Sequence, residues 1–454
     1  MSHMEIQKIT ISQARQDLDA GKISSSDLSA ACYEQIERLN QLFKAVITVI
    51  PGADKINPNS GPLQGIPVAA KDVYQTKGVR TTAGTTFFSD FIPDKNALAV
   101  SKLINQGAVI NCKANTHEVA LGVTGINPHY GTVTNPWDRH RISGGSSSGS
   151  TVAVATGMAL GAIGTDTGGS IRIPASLCGM VGLKPTYGRV SIRGIFPLSW
   201  NLDHPGPIAK CVRDAGILLQ AIAGYDELDP HSLPHPVDAY LDGIDDGVKD
   251  MRIGLLDGDY SWDAEPDVLE IIREDAEVFR SLGATVEPIE LNFLREAALK
   301  NAAMLLTDGA AFHQQRLADN PGGFGDDIRQ RLTMGRDQSS VDYALARKVQ
   351  SDTKRQMDLF FQRYDALILP STPIPAPLIE GTDAIEQARR LTRFTAPFNL
   401  TGLPAISIPG GFTSQNMPVG LQIVTPSWNE KRLLRIAQAF ESATSWHRKF
   451  PSLP

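Results

Sequence analysis

The chain has 454 residues, of which 42% are hydrophobic and 20% charged, and its formal net charge is −6 at pH 7. This composition is ordinary for a globular protein that buries a large core, and it offers no electrostatic footprint for nucleic acid or for an anionic membrane. No apolar run approaches the ~20 residues that span a bilayer, so we expect neither a nucleic-acid nor a membrane partner.

The N-terminal segment is predicted to be helical. Residues 1–4, Met-Ser-His-Met, are interpreted as an expression scar, and the mixed charges of residues 4–25 do not resemble a signal peptide. Ser25 or Ser26 can cap a helix whose apolar residues recur at helical spacing. A loop rich in Asn, Pro, Ser and Gly is predicted at 57–62.

Strands and helices then alternate along the chain. In order, we predict a strand at 65–71, a helix at 97–107, a strand at 108–110, a loop at 127–149, and a tightly packed helix followed by a buried strand from 150 to about 165. The second half repeats this alternation, with strands at 252–256, 284–286, 366–369 and 405–408, helices at 266–282 and 433–440, and loops at 320–327 and 370–381. This alternation predicts an α/β fold.

The cysteines and histidines indicate neither disulfides nor a metal site. The four cysteines (Cys32, Cys112, Cys178 and Cys211) are far apart and form no C-x-x-C pair. Four cysteines in a chain of this length are no disulfide framework, so we expect a reducing, cytoplasmic location. The nine histidines show no paired spacing such as H-x-x-x-H, and we expect no metal.

Two Gly-Gly-Ser turns stand out, one ending at Ser146 and the other at Ser170. Taken alone, such a turn is more often structural than catalytic. Here the pair flanks the small-residue helix and strand at 150–165. Glycines let the backbone approach a ligand closely, and successive N–H groups in such a turn form an anion-binding concavity. A serine at its end would stand beside an oxyanion hole, as acyl transfer requires.

Other interpretations of this region fit less well. Residues 145–149 match the G-x-S-x-G nucleophile elbow, but that motif needs a strand directly before it, and residues 135–141 are predicted to be loop. A phosphate-binding loop would need Gly-Lys-Ser/Thr, which is missing here. Cys178 has no histidine nearby in sequence, and a lone cysteine in an apolar run is usually a core residue.

Lys71 ends the apolar segment Ile-Pro-Val-Ala-Ala. A lysine at a strand end commonly extends its amine to solvent. A buried lysine instead loses its charge through desolvation, and the neutral amine can then act as a general base. The strand by itself leaves both interpretations open.

Together these segments resemble the amidase signature family. The resemblance is carried by G-G-S-S-S-G-S at 144–150 and by G-T-D-T-G-G-S-I-R-I-P-A-S-L-C-G-M-V-G-L-K-P-T at 164–186. Residues 66–72, 394–409 and 418–423 are similar to the family's lysine segment and C-terminal strands. The resemblance implies an α/β fold with a central mixed sheet flanked by helices on both faces. It implies one domain over 5–454, divided into a helical part (about 5–60), a catalytic core (61–225), a variable substrate region (240–390) and a C-terminal sheet and helix (391–454).

The resemblance also implies roles for individual residues. Ser170 matches the nucleophile, Ser146 the bridging serine with a cis bond to Gly145, and Lys71 the base. The remaining implied residues are the oxyanion-hole N–H groups of Thr167, Gly168, Gly169 and Ser170, the supporting pair Asp166 and Arg172, and the hydrogen-bonding neighbour Ser147. No metal or organic cofactor is required.

Three functions are compatible with this sequence. The first is hydrolysis of small amides, with carbamates (urethanes) and esters also open because the acyl chemistry is the same. The second is the glutaminase subunit of a tRNA-dependent amidotransferase, although residues 116–118 read Thr-His-Glu where that subunit is expected to have Met-Asp-Glu. The third is a non-catalytic binding protein on the same scaffold.

The substrate pocket is predicted from three segments, 120–130, 193–203 and 305–380. Its apolar candidates are Leu121, Ile126, Ile195, Phe196, Leu198 and Trp200, which could equally be core residues. A substrate carboxylate could be bound by Arg329, Arg331 or Arg336, which could equally be solvated at the surface. We expect a small-molecule amide, carbamate or ester as substrate, and a monomer or homodimer.

Overall fold

In a computed structural model, which describes residues 5–52 and 60–454, eleven strands form one sheet. The interpreted scar at 1–4 and much of the predicted loop at 57–62 lie outside these residues. The strands are β1 (Val46–Val49), β2 (Pro67–Lys71), β3 (Val109–Ala114), β4 (Gly161–Asp166), β5 (Val181–Lys184), β6 (His204–Ala209), β7 (Arg252–Leu256), β8 (Thr285–Ile289), β9 (Ala366–Pro370), β10 (Ala405–Phe412) and β11 (Pro418–Val424).

Fourteen α-helices accompany the sheet within the described ranges. They are α1 (Ile11–Asp19), α2 (Ser25–Phe43), α3 (Leu98–Asn105), α4 (Ser148–Ala155), α5 (Arg172–Cys178), α6 (Val212–Ile222), α7 (Pro266–Ser281), α8 (Phe293–Phe312), α9 (Gln314–Asp319), α10 (Asp326–Arg336), α11 (Ser340–Phe360), α12 (Ala384–Leu391), α13 (Ala396–Leu400) and α14 (Glu430–Ala443). Among these described helices none is long and apolar enough to cross a membrane.

The sheet is mixed, in the order β1-β3-β2-β4-β6-β5-β10-β11-β9-β7-β8. Parallel pairs occur toward both ends, where β2 pairs with β3 and β4, and β7 pairs with β8 and β9. The central strands from β4 to β9 pair antiparallel. The α/β fold with a central mixed sheet, expected from the resemblance, is therefore confirmed.

The pairing of β2 with β4 positions the site. The two strands run parallel, with Ala70 opposite Ile163, and every residue of both is buried. Parallel neighbours end at the same edge of a sheet, which is where ligands bind in α/β folds. Lys71 and Asp166, the last residues of the two strands, are thereby brought to one edge.

Two local predictions need correction. The cap of α2 is Ser24, because Asp27 lies three residues later and completes a reciprocal capping box, which neither Ser25 nor Ser26 can form. The predicted loop at 320–327 ends early, since α10 begins at Asp326. Acidic residues in its first turn, Asp326 and Asp327, interact favourably with the helix dipole.

Candidate active site

Lys71 is enclosed by protein at the end of β2. Its side chain has no exposed surface, and Nζ lies 2.7 Å from Ser146 Oγ and 2.8 Å from Thr165 Oγ1. The strand-end lysine therefore does not extend to solvent. It contacts the hydroxyl group of the first Gly-Gly-Ser turn.

The environment of Lys71 favours the neutral amine. Burial lowers the pKa of Lys71 to about 7, and the carboxylates of Asp203 and Asp166 act against this shift. A buried ammonium loses its hydration, and two nearby anions only partly replace it. A substantial fraction of Lys71 is thus uncharged near neutral pH and able to accept a proton.

The two Gly-Gly-Ser turns are held together through their backbones. The Gly145–Ser146 peptide bond is cis, as the resemblance implies. Ser147 N–H donates to the Ser170 carbonyl at 3.1 Å, and the Ser147 hydroxyl group donates to the Thr165 carbonyl at 3.1 Å. Ser147 therefore joins the first turn to both β4 and the second turn. This junction places the segments of Ser146 and Ser170 side by side.

The second turn presents unused donors. Within residues 5–52 and 60–454, no hydrogen bond is donated by the N–H groups of Thr167, Gly168, Gly169 and Ser170. Ser170 is 5% exposed, whereas Lys71 and Ser146 are fully enclosed. A ligand that reaches Ser170 from outside therefore meets a run of free N–H groups, the arrangement that stabilises an oxyanion.

Gly169 is required by the shape of this turn. Its φ is +138°, and a Cβ atom would lie 2.3 Å from Thr395 Oγ1. The Thr395 hydroxyl group donates to the Gly168 carbonyl at 2.7 Å, so it cannot move away without losing that bond. Only glycine allows the backbone to fold this closely against Thr395.

Asp166 and Arg172 form a buried ion pair behind the turn. Arg172 Nη2 lies 2.8 Å from Asp166 Oδ1, and Nε lies 2.9 Å from Oδ2. Burial alone would raise the pKa of Asp166, but the guanidinium holds it well below its usual range. Arg172 also donates to Gln422 and Asn399. The pair thus connects the serine turn to the C-terminal half of the sheet.

Replacing Arg172 by alanine is expected to destabilise the fold by about 3–5 kcal/mol, because Asp166 would remain buried without its counter-charge. Chemical denaturation monitored by fluorescence measures this loss. Lys348→Ala is the matched control, since it breaks an exposed Lys348–Asp352 pair and should cost less than about 1 kcal/mol. Equal effects of the two substitutions would contradict a structural role for the buried pair.

A cavity of about 390 Å³ reaches the second turn at Gly168. It lies between α8, α10 and α12, and its lining is largely apolar with arginines among it. The lining residues are Gly168, Arg295, Ala298, Leu299, Asn301, Ala302, Ala303, Leu305, Leu306, Arg331, Met334, Ile385, Ala388, Arg389, Thr392 and Arg393. Asn301 Nδ2 donates to the Thr167 carbonyl at 3.3 Å, so one wall contacts the turn directly.

The predicted apolar pocket residues do not line this cavity. Leu121, Ile195 and Leu198 are in the hydrophobic core, and Phe196 stacks on Phe88 with ring centroids 4.4 Å apart. The other two predicted residues, Ile126 and Trp200, also lie outside the lining. Of the three predicted pocket segments, only 305–380 contributes to the walls, through α8 and α10. Local sequence patterns do not indicate which distant helices cover a turn.

The three candidate arginines lie in different environments in the structure. Arg329 pairs with Asp326 at 2.8 Å and Arg336 with Asp337 at 2.8 Å, both as exposed pairs. Arg331 lines the cavity, and its Nη1 donates to the Leu121 carbonyl at 3.0 Å. Only Arg331 of the three is therefore placed to meet a bound molecule.

Cys178 does not have the environment of a nucleophile. Cys178 is buried, its thiol donates to the Ser143 carbonyl at 3.2 Å, and burial raises its pKa far above the usual range. Such a thiol is inert as a nucleophile. Across the described residues, no three His, Cys, Asp or Glu side chains are grouped to hold a metal ion.

Asp203 is a residue of the site that sequence reasoning missed. Its carboxylate accepts the Thr167 hydroxyl group at 2.6 Å, although the two residues are far apart in sequence. The cause is the antiparallel pairing of β4 with β6, which sets Asp166 opposite His204. In the sequence, the aspartate before this strand carries no signal of such a contact.

Known proteins resemble this chain over nearly its whole length. The sequence model of the Amidase family matches residues 27–434. A glutamyl-tRNA(Gln) amidotransferase subunit from Geobacter sp. (strain M21) is 36% identical over 481 residues, covering 98% of this chain and 99% of the relative. The crystal structure of the same-named subunit from Thermotoga maritima superimposes with a TM-score of 0.87 at 33% identity, covering 99% of both chains. The structure of a 6-aminohexanoate cyclic dimer hydrolase complexed with substrate superimposes with a TM-score of 0.90 at 28% identity, and the match covers 99% of both chains.

Proposed function

Because the chain belongs to the amidase family, and is thus an enzyme that acts on amides, we propose that Ser170, Ser146 and Lys71 cleave the C–N bond. The observation that carries this proposal is the buried contact of 2.7 Å between Lys71 Nζ and Ser146 Oγ. An amine with a pKa of about 7 can take a proton from that hydroxyl group near neutral pH. A lysine with the ordinary pKa of about 10.4 could not.

The reaction then follows a proton relay. Lys71 accepts the Ser146 proton while Ser146 accepts the Ser170 proton, and Ser170 Oγ forms a bond to the carbonyl carbon. The free N–H groups of residues 167–170 hold the oxyanion. The C–N bond breaks as the proton returns through Ser146 to the leaving nitrogen. Water then attacks the acyl-enzyme by the same relay and releases the acid.

For the substrate, the relatives favour the amide group of glutamine. Two of the proteins compared above are named as the same subunit of a glutamyl-tRNA(Gln) amidotransferase, and they match over nearly their whole lengths. This supports the second of the sequence hypotheses better than the first, and it would make partner subunits necessary. The test measures ammonia released from glutamine by the chain alone and with the remaining amidotransferase subunits. No ammonia in either case rejects this candidate.

The cavity supports a second candidate, a small amide with an apolar group. Its described lining is rich in Ala and Leu and contains arginines but no aspartate or glutamate. Glutamine carries an α-ammonium group, which such a lining would leave without a counter-charge. Carbamates and esters share the acyl chemistry. A panel of aryl amides, aliphatic amides, carbamates and esters, run beside glutamine, separates the two candidates.

Ala302→Phe tests whether the cavity binds substrate. Ala302 is exposed on the cavity wall, and an aromatic ring there fills part of the space. We expect KM for bulky amides to rise about tenfold, while Ser170 labelling by a small fluorophosphonate keeps its rate. Ala344→Phe, at an exposed site on α11 outside the lining, is the control. An unchanged KM in Ala302→Phe would exclude the cavity as the substrate site.

A further inference from the structure

Asp203 is a buried carboxylate behind the second Gly-Gly-Ser turn. It is 5% exposed, and Oδ1 accepts the Thr167 hydroxyl group at 2.6 Å. Oδ2 accepts the N–H groups of Leu198 at 2.9 Å and Ser199 at 3.2 Å. The carboxylate therefore ties the first residue of the proposed oxyanion hole to the segment before β6.

We propose that Asp203 is a positioning residue of the reaction, which anchors the oxyanion turn through Thr167 and holds a buried negative charge behind that turn. The inference rests on the proposed Ser170–Ser146–Lys71 relay. Asp203 itself transfers no proton and touches no reacting atom.

The first support for this proposal is that Asp203 lacks a cationic partner. In the described part of the chain, its carboxylate enters no salt bridge, whereas Asp166 is neutralised by Arg172 at 2.8 Å. Against the lowering by burial, the Asp203 carboxylate raises the pKa of Lys71 more than the Asp166 carboxylate does. Its negative charge is therefore available to stabilise the Lys71 ammonium.

The other titratable groups around this pair do not compete. Burial raises the pKa of Tyr74 well above its usual value, and it also raises that of Tyr187, so both phenols stay uncharged. Burial holds the pKa of His204 well below its usual value, so this imidazole is neutral. The pKa of Asp203 itself is raised to about 6 by burial, against its hydrogen bonds and Lys71. Above about pH 6 Asp203 is thus an anion whose charge raises the pKa of Lys71.

A second carboxylate provides a matched control. Asp308 on α8 is also buried, and it accepts the Ser199 hydroxyl group at 2.5 Å and the Tyr343 hydroxyl group at 2.9 Å. Asp308 is one residue further from the turn in the hydrogen-bond network, because Ser199 donates its N–H group to Asp203 and its hydroxyl group to Asp308. Its removal disturbs the same hydrogen-bond network without removing the charge next to Lys71.

The test measures the rate of Ser170 labelling by a fluorophosphonate between pH 5 and pH 9, which needs no knowledge of the substrate. Asp203→Asn keeps the shape but removes the charge, so Lys71 becomes neutral at lower pH. We expect the acid limb of the profile to move down by about one pH unit. In Asp308→Asn the limb should stay in place. If the acid limb of the Asp203→Asn profile stays at the wild-type pH, the electrostatic role is overturned. A purely structural residue would change only the plateau of the labelling rate and the Tm.

Thr167→Val tests the anchoring role and decides the matter if Asp203→Asn does not fold. It removes the hydroxyl group that Asp203 accepts while keeping the charge and the side-chain volume. We expect the plateau of the labelling rate to fall about tenfold or more, because a misplaced oxyanion donor loses most of its value. An unchanged plateau overturns the proposal. If the wild-type protein is not labelled at Ser170 at all, the proposed function fails instead.

Discussion

Replacing Ser170 by alanine is expected to lower kcat by about 10⁴-fold or more on any substrate that the wild-type protein turns over. Ser170 is the one hydroxyl group of the relay with exposed surface, and it ends a turn whose N–H groups donate no hydrogen bond to any described residue. Without its Oγ atom no acyl-enzyme can form. The measurement is steady-state turnover with the best substrate of the panel, together with fluorophosphonate labelling followed by mass spectrometry.

Ser150→Ala is the control for this substitution. Ser150 is a buried serine on the neighbouring helix α4, and its hydroxyl group donates a long hydrogen bond of 3.3 Å to the Ile163 carbonyl. Turnover should stay within a few-fold of wild type. If Ser170→Ala retained more than about one hundredth of the activity, the nucleophile would have to be another group.

Lys71→Met is expected to lower kcat/KM by about 10³-fold or more, with a Tm close to that of the wild type. Methionine fills a similar volume, so packing at the end of β2 is retained, but it cannot accept the Ser146 proton. A lysine with only a structural role would show the reverse pattern, a lower Tm with turnover preserved. Calorimetry and steady-state kinetics on the same preparation separate the two outcomes.

The pH dependence of wild-type activity is a further test of Lys71 as the base. Only uncharged Lys71 can act as the base, and burial lowers its pKa to about 7. Activity should therefore rise with pH through about 7 and level off above it, because protonation below that value removes the base. Lys71→Arg, which stays charged throughout, should be inactive at every pH. A wild-type rate that was flat from pH 5 to pH 9 would contradict Lys71 as the base.

Much of the site could be predicted from the sequence because its groups lie in short, rigid segments. The two Gly-Gly-Ser turns carry their own backbone requirements, as Gly169 shows with its φ of +138°. The apolar segment before Lys71 predicted a buried strand, and it is buried throughout in β2. The secondary structure around them follows local patterning, apart from caps such as Ser24.

Only part of the cavity could be predicted, from the variable segment 305–380 that contributes to α8 and α10. Its walls come from α8, α10 and α12, and they meet Gly168 only through the folded chain. The apolar residues near the motifs, such as Leu121 and Ile195, are used in the core instead. Hydrophobicity predicts burial but does not distinguish a core residue from a wall residue.

By itself, therefore, the sequence determined the α/β class, the family, and which serines and lysine are candidates for the chemistry, since these depend on local backbone and side-chain properties. The tertiary structure alone decided whether Lys71 meets Ser146, what lines the cavity and that Asp203 stands behind Thr167. Each of those contacts joins segments far apart in the chain. Their proximity depends on strand pairing and helix packing across the whole sheet, which local sequence patterns do not specify.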